Sequence, residues 1–473
     1  MAQHAGRGIC LFLVLPQTTS QLANRQSIVC VVMNHVEGDN ELPGYTPRLG
    51  ATSSVAPLDT FTPGSEHTIS LEDSKGHKWL LLSVKSRAPT SEFRPAFCAG
   101  DLISGSVILD ISKSRSSKAI VVTVTATTTL VGQEGQDFLV IEKELWTPAM
   151  ALPDGSMVPK LEKGHYTWPF EIALPNETEV LDRKETKKFA LPPSFTERAS
   201  PAYINYKITV IVKRGALRVN QTLTTDFAYV PITKPELPSP MLQKACKENL
   251  PFIGPEGDPE GWCILPSVTV TGTLFGAKRG NVDFNLALAK PLNYARGSAM
   301  PLWLTFTGTD EQALDLLANH QAIRVFLKRS LATGSDATSD CAGKHTDNFF
   351  VGTMARAVFW PAGDTSTTGK RVLRGEVTLK KTFKQSVVFP RFSVRYHLEV
   401  HPFEAVGFVH APHVSGPLLT QPVNVTSFHA TGIVMRSFAP PKYAEEIENF
   451  DNSVGLLENG NQRFYHHGGL GVS

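Results

Sequence analysis

Residues 119–130 read Ala-Ile-Val-Val-Thr-Val-Thr-Ala-Thr-Thr-Thr-Leu, a run dominated by β-branched side chains. Such side chains pack well on a pleated sheet and lose rotamer freedom in a helix, so the run predicts a long strand. A second run, Ala202–Val212, alternates cleanly and places four residues on one face: Tyr206, Ile208, Val210 and Val212. Similar short runs recur at about 8–15-residue spacing, with almost no helical periodicity. The pattern predicts an all-β chain built from antiparallel β-sandwiches.

The prolines divide this chain into domains. A chain of 473 residues has room for two or three domains. Thr233–Glu260 is rich in prolines, which cannot build a central strand because each lacks an N–H donor: Pro235, Pro238, Pro240, Pro251, Pro255 and Pro259. We therefore predict a poorly structured segment at 1–74, β-sandwiches of the immunoglobulin-like kind at 75–233 and 234–437, and a flexible tail at 438–473.

Two local signals modify the strand pattern. Pro169 interrupts the apolar run at 165–175 and predicts that this strand lies at a sheet edge. In the second strand series, Thr309-Asp-Glu-Gln312 has the form of a capping box, and apolar residues follow at helical spacing. This pattern predicts one helix over 309–319.

The charge balance limits the classes of partner. The sequence has 46 basic and 44 acidic residues, a formal net charge of +2, and 41% hydrophobic residues. A near-neutral chain offers no electrostatic attraction for nucleic acid, and no dense basic cluster marks a membrane-surface site. The composition predicts a soluble globular protein with no nucleic-acid partner.

The cellular compartment follows from weaker signals. No apolar run approaches the ~20 residues that a membrane-spanning helix needs. Ile9–Leu15 is apolar and follows Arg7, but Pro16 ends the run and no small-residue cleavage site follows closely. The six cysteines are scattered without a CxxC pair, which favours reduced thiols: Cys10, Cys30, Cys98, Cys246, Cys263 and Cys341. We predict a cytoplasmic protein, with secretion as the less favoured alternative.

A short motif lies near the C-terminus, at Pro440-Pro441-Lys442-Tyr443. Consecutive prolines favour polyproline II, in which every third residue returns to the same side. This is the PPxY pattern that WW domains bind, with the prolines in an aromatic groove and the tyrosine in a neighbouring pocket. The sequence therefore predicts WW-domain binding through Pro440, Pro441 and Tyr443. An accidental match in a loop is the alternative.

Several blocks resemble a known family. Phe97-x-x-Gly100-Asp101-x-Ile103-x-Gly105-x-Val107 resembles the arrestin N-domain signature, and Gly164-His-Tyr-Thr-Trp-Pro-Phe-Glu-Ile-Ala-Leu-Pro175 resembles a later block of the same domain. Leu191-Pro-Pro-Ser-Phe195 resembles the next block, and the capped helix leading to Ile323–Arg329 is similar to the C-domain of fungal arrestin-like proteins. With the PPxY motif, the chain resembles the α-arrestins, or arrestin-related trafficking adaptors.

The resemblance implies a function without catalysis. Proteins of this class link WW-domain-bearing HECT ubiquitin ligases to the cytosolic tails of membrane transporters or receptors, which are then ubiquitinated and internalised. It implies recruitment to the plasma membrane or endosomes, with peripheral membrane association. The chain has one PPxY motif where such adaptors often have more, and the sequence shows no counterpart of the buried salt bridges of visual arrestins. A sorting scaffold of the retromer kind, without a ligase, and a secreted β-sandwich binding protein remain alternatives.

Enzyme and metal sites are not predicted. His397 and His401 are four residues apart in a strand and would face one side, but no third ligand lies near them in sequence. The acidic loop at 256–260 does not have the spacing of an EF-hand. There is no P-loop, dinucleotide fingerprint or GxSxG motif. The prediction is therefore no catalytic residue, no cofactor and no metal.

Overall fold

The structure is a computed structural model. It describes residues 64–443 except 112–116, 158–159, 199, 216–217, 341–345 and 364–366, together with the backbone of 456–460. The expectations for a poorly structured segment before residue 64 and a flexible tail beyond residue 443 fall outside the described residues, apart from that short backbone stretch.

The first sandwich consists of two sheets and a hairpin. Its strands are β1 (Ser65–Glu72), β2 (Lys78–Ser86), β3 (Ala96–Cys98), β4 (Leu102–Ile111), β5 (Ser117–Leu130), β6 (Gln136–Trp146), β7 (Gly164–Ala173), β8 (Glu177–Asp182), β9 (Glu185–Ala190), β10 (Ala202–Arg214) and β11 (Gln221–Val230). One sheet has the order β1-β2-β4-β7, the other β3-β11-β10-β5-β6, and β8 pairs with β9. The all-β prediction is confirmed.

Local features of this sandwich follow from the sequence pattern. The four alternating residues of β10, from Tyr206 to Val212, are all buried in the core. The strand with Pro169 is β7, which lies at the edge of its sheet as predicted. Regular structure begins earlier than residue 75, because β1 pairs with β2 from Ser65 onward. The sequence pattern missed β1 because its burial alternates only weakly along the strand.

The second sandwich again consists of two sheets. Its strands are β12 (Trp262–Ile264), β13 (Val268–Leu274), β14 (Lys278–Ala289), β15 (Asn293–Ala295), β16 (Ala299–Thr307), β17 (Val325–Thr333), β18 (Asn348–Arg356), β19 (Val358–Pro361), β20 (Lys370–Thr378), β21 (Val387–Phe389), β22 (Phe392–Val400), β23 (Phe408–His410), β24 (Leu419–Thr426) and β25 (Leu456–Gly460). One sheet runs β19-β20-β16-β14-β13-β23, with β12 beside β14. The other runs β15-β24-β22-β17-β18-β25, with β21 beside β22.

Helices appear at two places. The predicted helix is α2 (Glu311–Leu317), but its N-cap is Asp310 rather than Thr309, because the Asp310 carboxylate accepts from the Gln312 and Ala313 amides. The proline-rich boundary segment contains a helix that we did not predict, α1 (Pro240–Glu248), whose N-cap hydroxyl belongs to Ser239. Ser followed by Pro at the first helical position is a recognised start signal that the proline count concealed.

The two sandwiches share a continuous apolar junction. Phe138 of β6 contacts Phe389 of β21 with ring centroids 4.9 Å apart, and Phe195 contacts Phe392 at 4.7 Å. Aromatic pairs at such distances stabilise beyond their buried area. The backbone between the sandwiches is also fixed, because the Thr233 amide donates to the Ser427 hydroxyl at 2.9 Å.

Candidate WW-binding motif and its surroundings

Pro440–Tyr443 forms a tight turn on the surface of the second sandwich. The Tyr443 amide donates to the Pro440 carbonyl at 2.9 Å, which closes a four-residue turn with Pro441 in the second position. Proline is common at that position because its fixed φ suits the turn. Polyproline II has no internal hydrogen bonds, so the prediction of that conformation is wrong for the motif in this structure.

The Tyr443 side chain rests on the protein. Its ring meets the His320 ring edge to face with centroids 4.9 Å apart, and the Lys442 ammonium nitrogen lies 4.8 Å from the Tyr443 ring centroid. Tyr443 and Pro440 are half-buried, whereas Pro441 and Lys442 are exposed. Pro441 and Lys442 are therefore open to a partner, whereas Pro440 and the tyrosine ring are partly covered.

The segment before the motif is anchored to β16 and β20. The Ala299 amide donates to the Met435 carbonyl at 3.0 Å, and the Phe438 amide donates to the Glu376 carboxylate at 2.9 Å. The Ser437 hydroxyl donates to the other oxygen of the same carboxylate. The sequence predicts a flexible tail that starts at Phe438, but the structure fixes the Phe438 backbone through its hydrogen bond to Glu376.

The Phe438 ring completes an aromatic cavity of about 90 Å³. It meets the Phe252 ring at a centroid distance of 5.4 Å. The other aromatic walls are Trp262, Trp303 and Trp360. The Arg374 guanidinium also lines the cavity and lies 5.6 Å from the Trp303 ring centroid. The residues immediately before the PPxY motif therefore pack as part of the second sandwich.

The acidic loop at 256–260 has a structural role. Asp258 is buried and accepts hydrogen bonds from the Ser239 hydroxyl and the Gly261 amide. These bonds fasten the start of α1 to the turn that leads into β12. Within the described ranges, no group of three or more His, Cys, Asp and Glu side chains is placed to hold a metal.

His397 on β22 and His401, the first residue after that strand, lie on the same side, and the Glu399 carboxylate lies between them. The Glu399 carboxylate bonds the His397 ring at 3.0 Å and the His401 ring at 2.8 Å. The hydrogen bond from His397, with that from His401, lowers the pKa of Glu399 to about 2. The cluster is a hydrogen-bonded triad on the sheet surface.

A buried ion pair joins the sandwiches. The Arg329 guanidinium on β17 binds the Glu197 carboxylate through two hydrogen bonds, at 2.7 and 2.9 Å. Only 3% and 9% of the two side chains are exposed. Sequence reasoning missed this pair. A signal existed, since Arg329 occupies an inward phase of β17 shared with Val325 and Leu327.

A second cavity, of about 710 Å³, opens between the hairpin β8–β9 and the loops at the far end of β17. Its acidic lining residues include Asp182 and Asp336. Both have partners: the Asp182 carboxylate accepts from Thr338 at 3.3 Å, and Arg183 binds Asp336 at 2.6 Å. These contacts cross the junction at the surface, as the Glu197–Arg329 pair does in the interior.

Comparison with known proteins bears on the first sandwich. Residues 90–234 match the family model described as "Arrestin (or S-antigen), N-terminal domain". The first sandwich is therefore similar to the arrestin N-terminal domain. No curated protein matches the chain. The matched range runs from just before β3 to just after β11, which is most of the first sandwich.

The motif residues of the arrestin-like domain have clear structural roles. The Asp101 carboxylate binds Arg87 through two hydrogen bonds of 2.6 Å and also accepts from the Cys98 amide at 2.7 Å, which fixes the turn between β3 and β4. The buried Tyr206 hydroxyl donates to the Pro192 carbonyl at 2.6 Å. Leu191–Phe195 therefore packs with the sandwich, and it is not a second PPxY motif because Phe195 stands in the tyrosine position.

Among the described residues, no helix is long and apolar enough to cross a membrane.

Proposed function

We propose that this protein is a non-enzymatic adaptor that binds WW domains of a HECT-type ubiquitin ligase through Pro440, Pro441 and Tyr443 and links the ligase to membrane-protein cargo. The match of residues 90–234 supports an arrestin-type trafficking adaptor. The observation that carries the finer proposal is the position of the motif, at the surface and two residues beyond the anchored residue Phe438. The cargo would be the cytosolic tails of transporters or receptors, which become ubiquitinated and internalised.

The geometry supports modest affinity for one WW domain. A four-residue motif buries little area and belongs with transient interfaces. Ligases with several WW domains, and cargo that concentrates adaptors on one membrane, raise apparent affinity by about 10²–10⁴ without new contacts. Glu445, Glu446 and Glu448 follow the motif and add negative charge that favours a basic WW surface.

The test is recovery of the full chain on isolated, immobilised WW domains. The Tyr443→Ala variant should lose binding, because the tyrosine occupies its own pocket in this mode of recognition. Lys442→Ala is the matched control: it changes the variable position of the motif and should bind as the unchanged chain does. Equal recovery of the unchanged chain and Tyr443→Ala would remove the ligase proposal and leave an arrestin-fold scaffold without ligase recruitment.

A further inference from the structure

The PPxY turn is preceded by a clip that depends on one carboxylate. Glu376 is 3% exposed, and its two oxygens accept from the Ser437 hydroxyl and the Phe438 amide. A buried carboxylate is costly unless donors satisfy it. We name residues 435–438 the strap. Two adjacent donors of the strap therefore bind a carboxylate that would otherwise be buried without hydrogen bonds.

The strap and the turn hold the motif in a shape that a WW domain does not bind. The Phe438 ring packs against Phe252, and the Tyr443 amide closes the turn. The His320 ring covers part of the Tyr443 ring. WW domains bind the extended polyproline II form, so the turn must open first. If only the open form binds, the apparent affinity for the WW domain equals the affinity of the open form multiplied by the fraction of chains that are open.

Ser437 is the exposed point of this arrangement. Ser437 is solvent-exposed, although its hydroxyl reaches the buried Glu376 carboxylate. A phosphate on that oxygen carries about −1.5 to −2 charges at pH 7 and removes the donated hydrogen. It would place like charge against Glu376 and leave one carboxylate oxygen without its donor. Because Ser437 lies three residues before Pro440, the phosphate does not alter any residue of the motif.

We propose that Ser437 is a phosphorylation site whose modification releases the strap and exposes the PPxY motif. A protein kinase would transfer the terminal phosphoryl group of a nucleoside triphosphate: a bond forms between the Ser437 oxygen and that phosphorus, the bond to the bridging oxygen breaks, the hydroxyl proton is released, and the nucleoside diphosphate leaves. The inference rests on the proposed WW-binding function and adds a way in which the cell regulates that binding.

One neighbouring cation opposes release. Arg374 lines the same cavity beside Glu376, with its guanidinium over the Trp303 ring. A phosphate drawn to Arg374 would tighten the strap instead of freeing it. Repulsion from Glu376 is the stronger effect, because its carboxylate already contacts the Ser437 oxygen.

The experiment compares the full chain with and without phosphoserine at position 437, titrated with an isolated WW domain. Two peptides covering 434–448, one of them phosphorylated at Ser437, serve as controls because they have no sandwich to dock on. Phosphorylation should tighten binding of the full chain by about tenfold or more. This is the factor expected when the closed form loses hydrogen bonds to a charged group. The two peptides should differ by less than about threefold.

Hydrogen exchange of the Phe438 and Tyr443 amides supplies a readout without a WW domain. Both amides donate hydrogen bonds in the closed form. Phosphorylation should speed exchange of the Phe438 amide by about tenfold or more, since that amide loses Glu376 when the strap opens, and the Tyr443 amide reports the opening of the turn that follows. Glu376→Gln should release the strap in part and shrink the effect of the phosphate. Ser437→Ala removes one donor from the buried carboxylate but adds no charge, so it should tighten WW binding by less than the phosphate does.

The outcomes separate the two proposals. If neither peptide binds the WW domain, the proposed function fails, and amide exchange still tests the strap. If the peptides bind but the phosphorylated chain binds equally or more weakly than the unmodified chain, the inference is overturned. Unchanged amide exchange after phosphorylation overturns it as well.

Discussion

Removing one member of the buried pair between the sandwiches should strongly destabilise the protein. The Arg329 guanidinium and the Glu197 carboxylate are almost fully buried and meet through two hydrogen bonds. In Arg329→Met, the Glu197 carboxylate stays buried without its partner. Breaking such a pair costs about 3–5 kcal/mol, because the remaining charge is neither solvated nor paired.

The assay is urea unfolding followed by circular dichroism. Replacing both members, as Arg329→Met with Glu197→Leu, should cost clearly less than Arg329→Met alone, because no charge is then left behind. Arg183→Met is the matched control: it breaks another ion pair across the junction, with Asp336, in which the arginine side chain is 59% exposed. An exposed pair contributes about 0–1 kcal/mol.

The reasoning is refuted if Arg329→Met and Arg183→Met lower the free energy of unfolding by the same small amount. That result would mean that water reaches the Glu197 carboxylate once its partner is removed. The side chains that surround the pair would then be more open than their burial indicates.

Three further outcomes are expected. The lowered pKa of Glu399 adds stability that is fully present above about pH 4.5 and is lost as the pH falls toward 2. The difference in unfolding free energy between the unchanged chain and Glu399→Gln should therefore grow by about 2 kcal/mol from pH 2 to 5 and then level off. Gly105→Ala should destabilise by about 1–3 kcal/mol in thermal unfolding, because its Cβ would lie 2.1 Å from the Ser83 carbonyl oxygen; an unchanged midpoint would show that β2 and β4 separate easily. Asp310→Ala should cost about 1 kcal/mol in the same measurement by removing the N-cap of α2, and an Asp310→Asn variant should recover most of it.

The fold was predictable because strand periodicity is a local property. Alternation in β10 and the β-branched run of β5 specify which side chains face the core, and the structure buries them accordingly. The strap was not predictable. Its hydrogen bonds join Ser437 and Phe438 to Glu376, about sixty residues earlier, and nothing in the local sequence announces such a contact.

The motif illustrates the same division between local preference and tertiary context. Two consecutive prolines, Pro440 and Pro441, favour an extended segment. The structure instead closes a turn with Pro441 in its second position, and the Tyr443 ring gains a contact with His320. The motif residues were identified from sequence as a hypothesis of binding, whereas their resting shape depended on a loop more than a hundred residues away.

The strand β25 has a consequence for handling the protein. It pairs with β18 and covers the side of the sheet that would otherwise present free amides and carbonyls. Unprotected strand edges recruit strands from other molecules. A chain shortened before residue 456 should therefore self-associate at high concentration, and C-terminal truncations made to study the PPxY motif need light scattering alongside them.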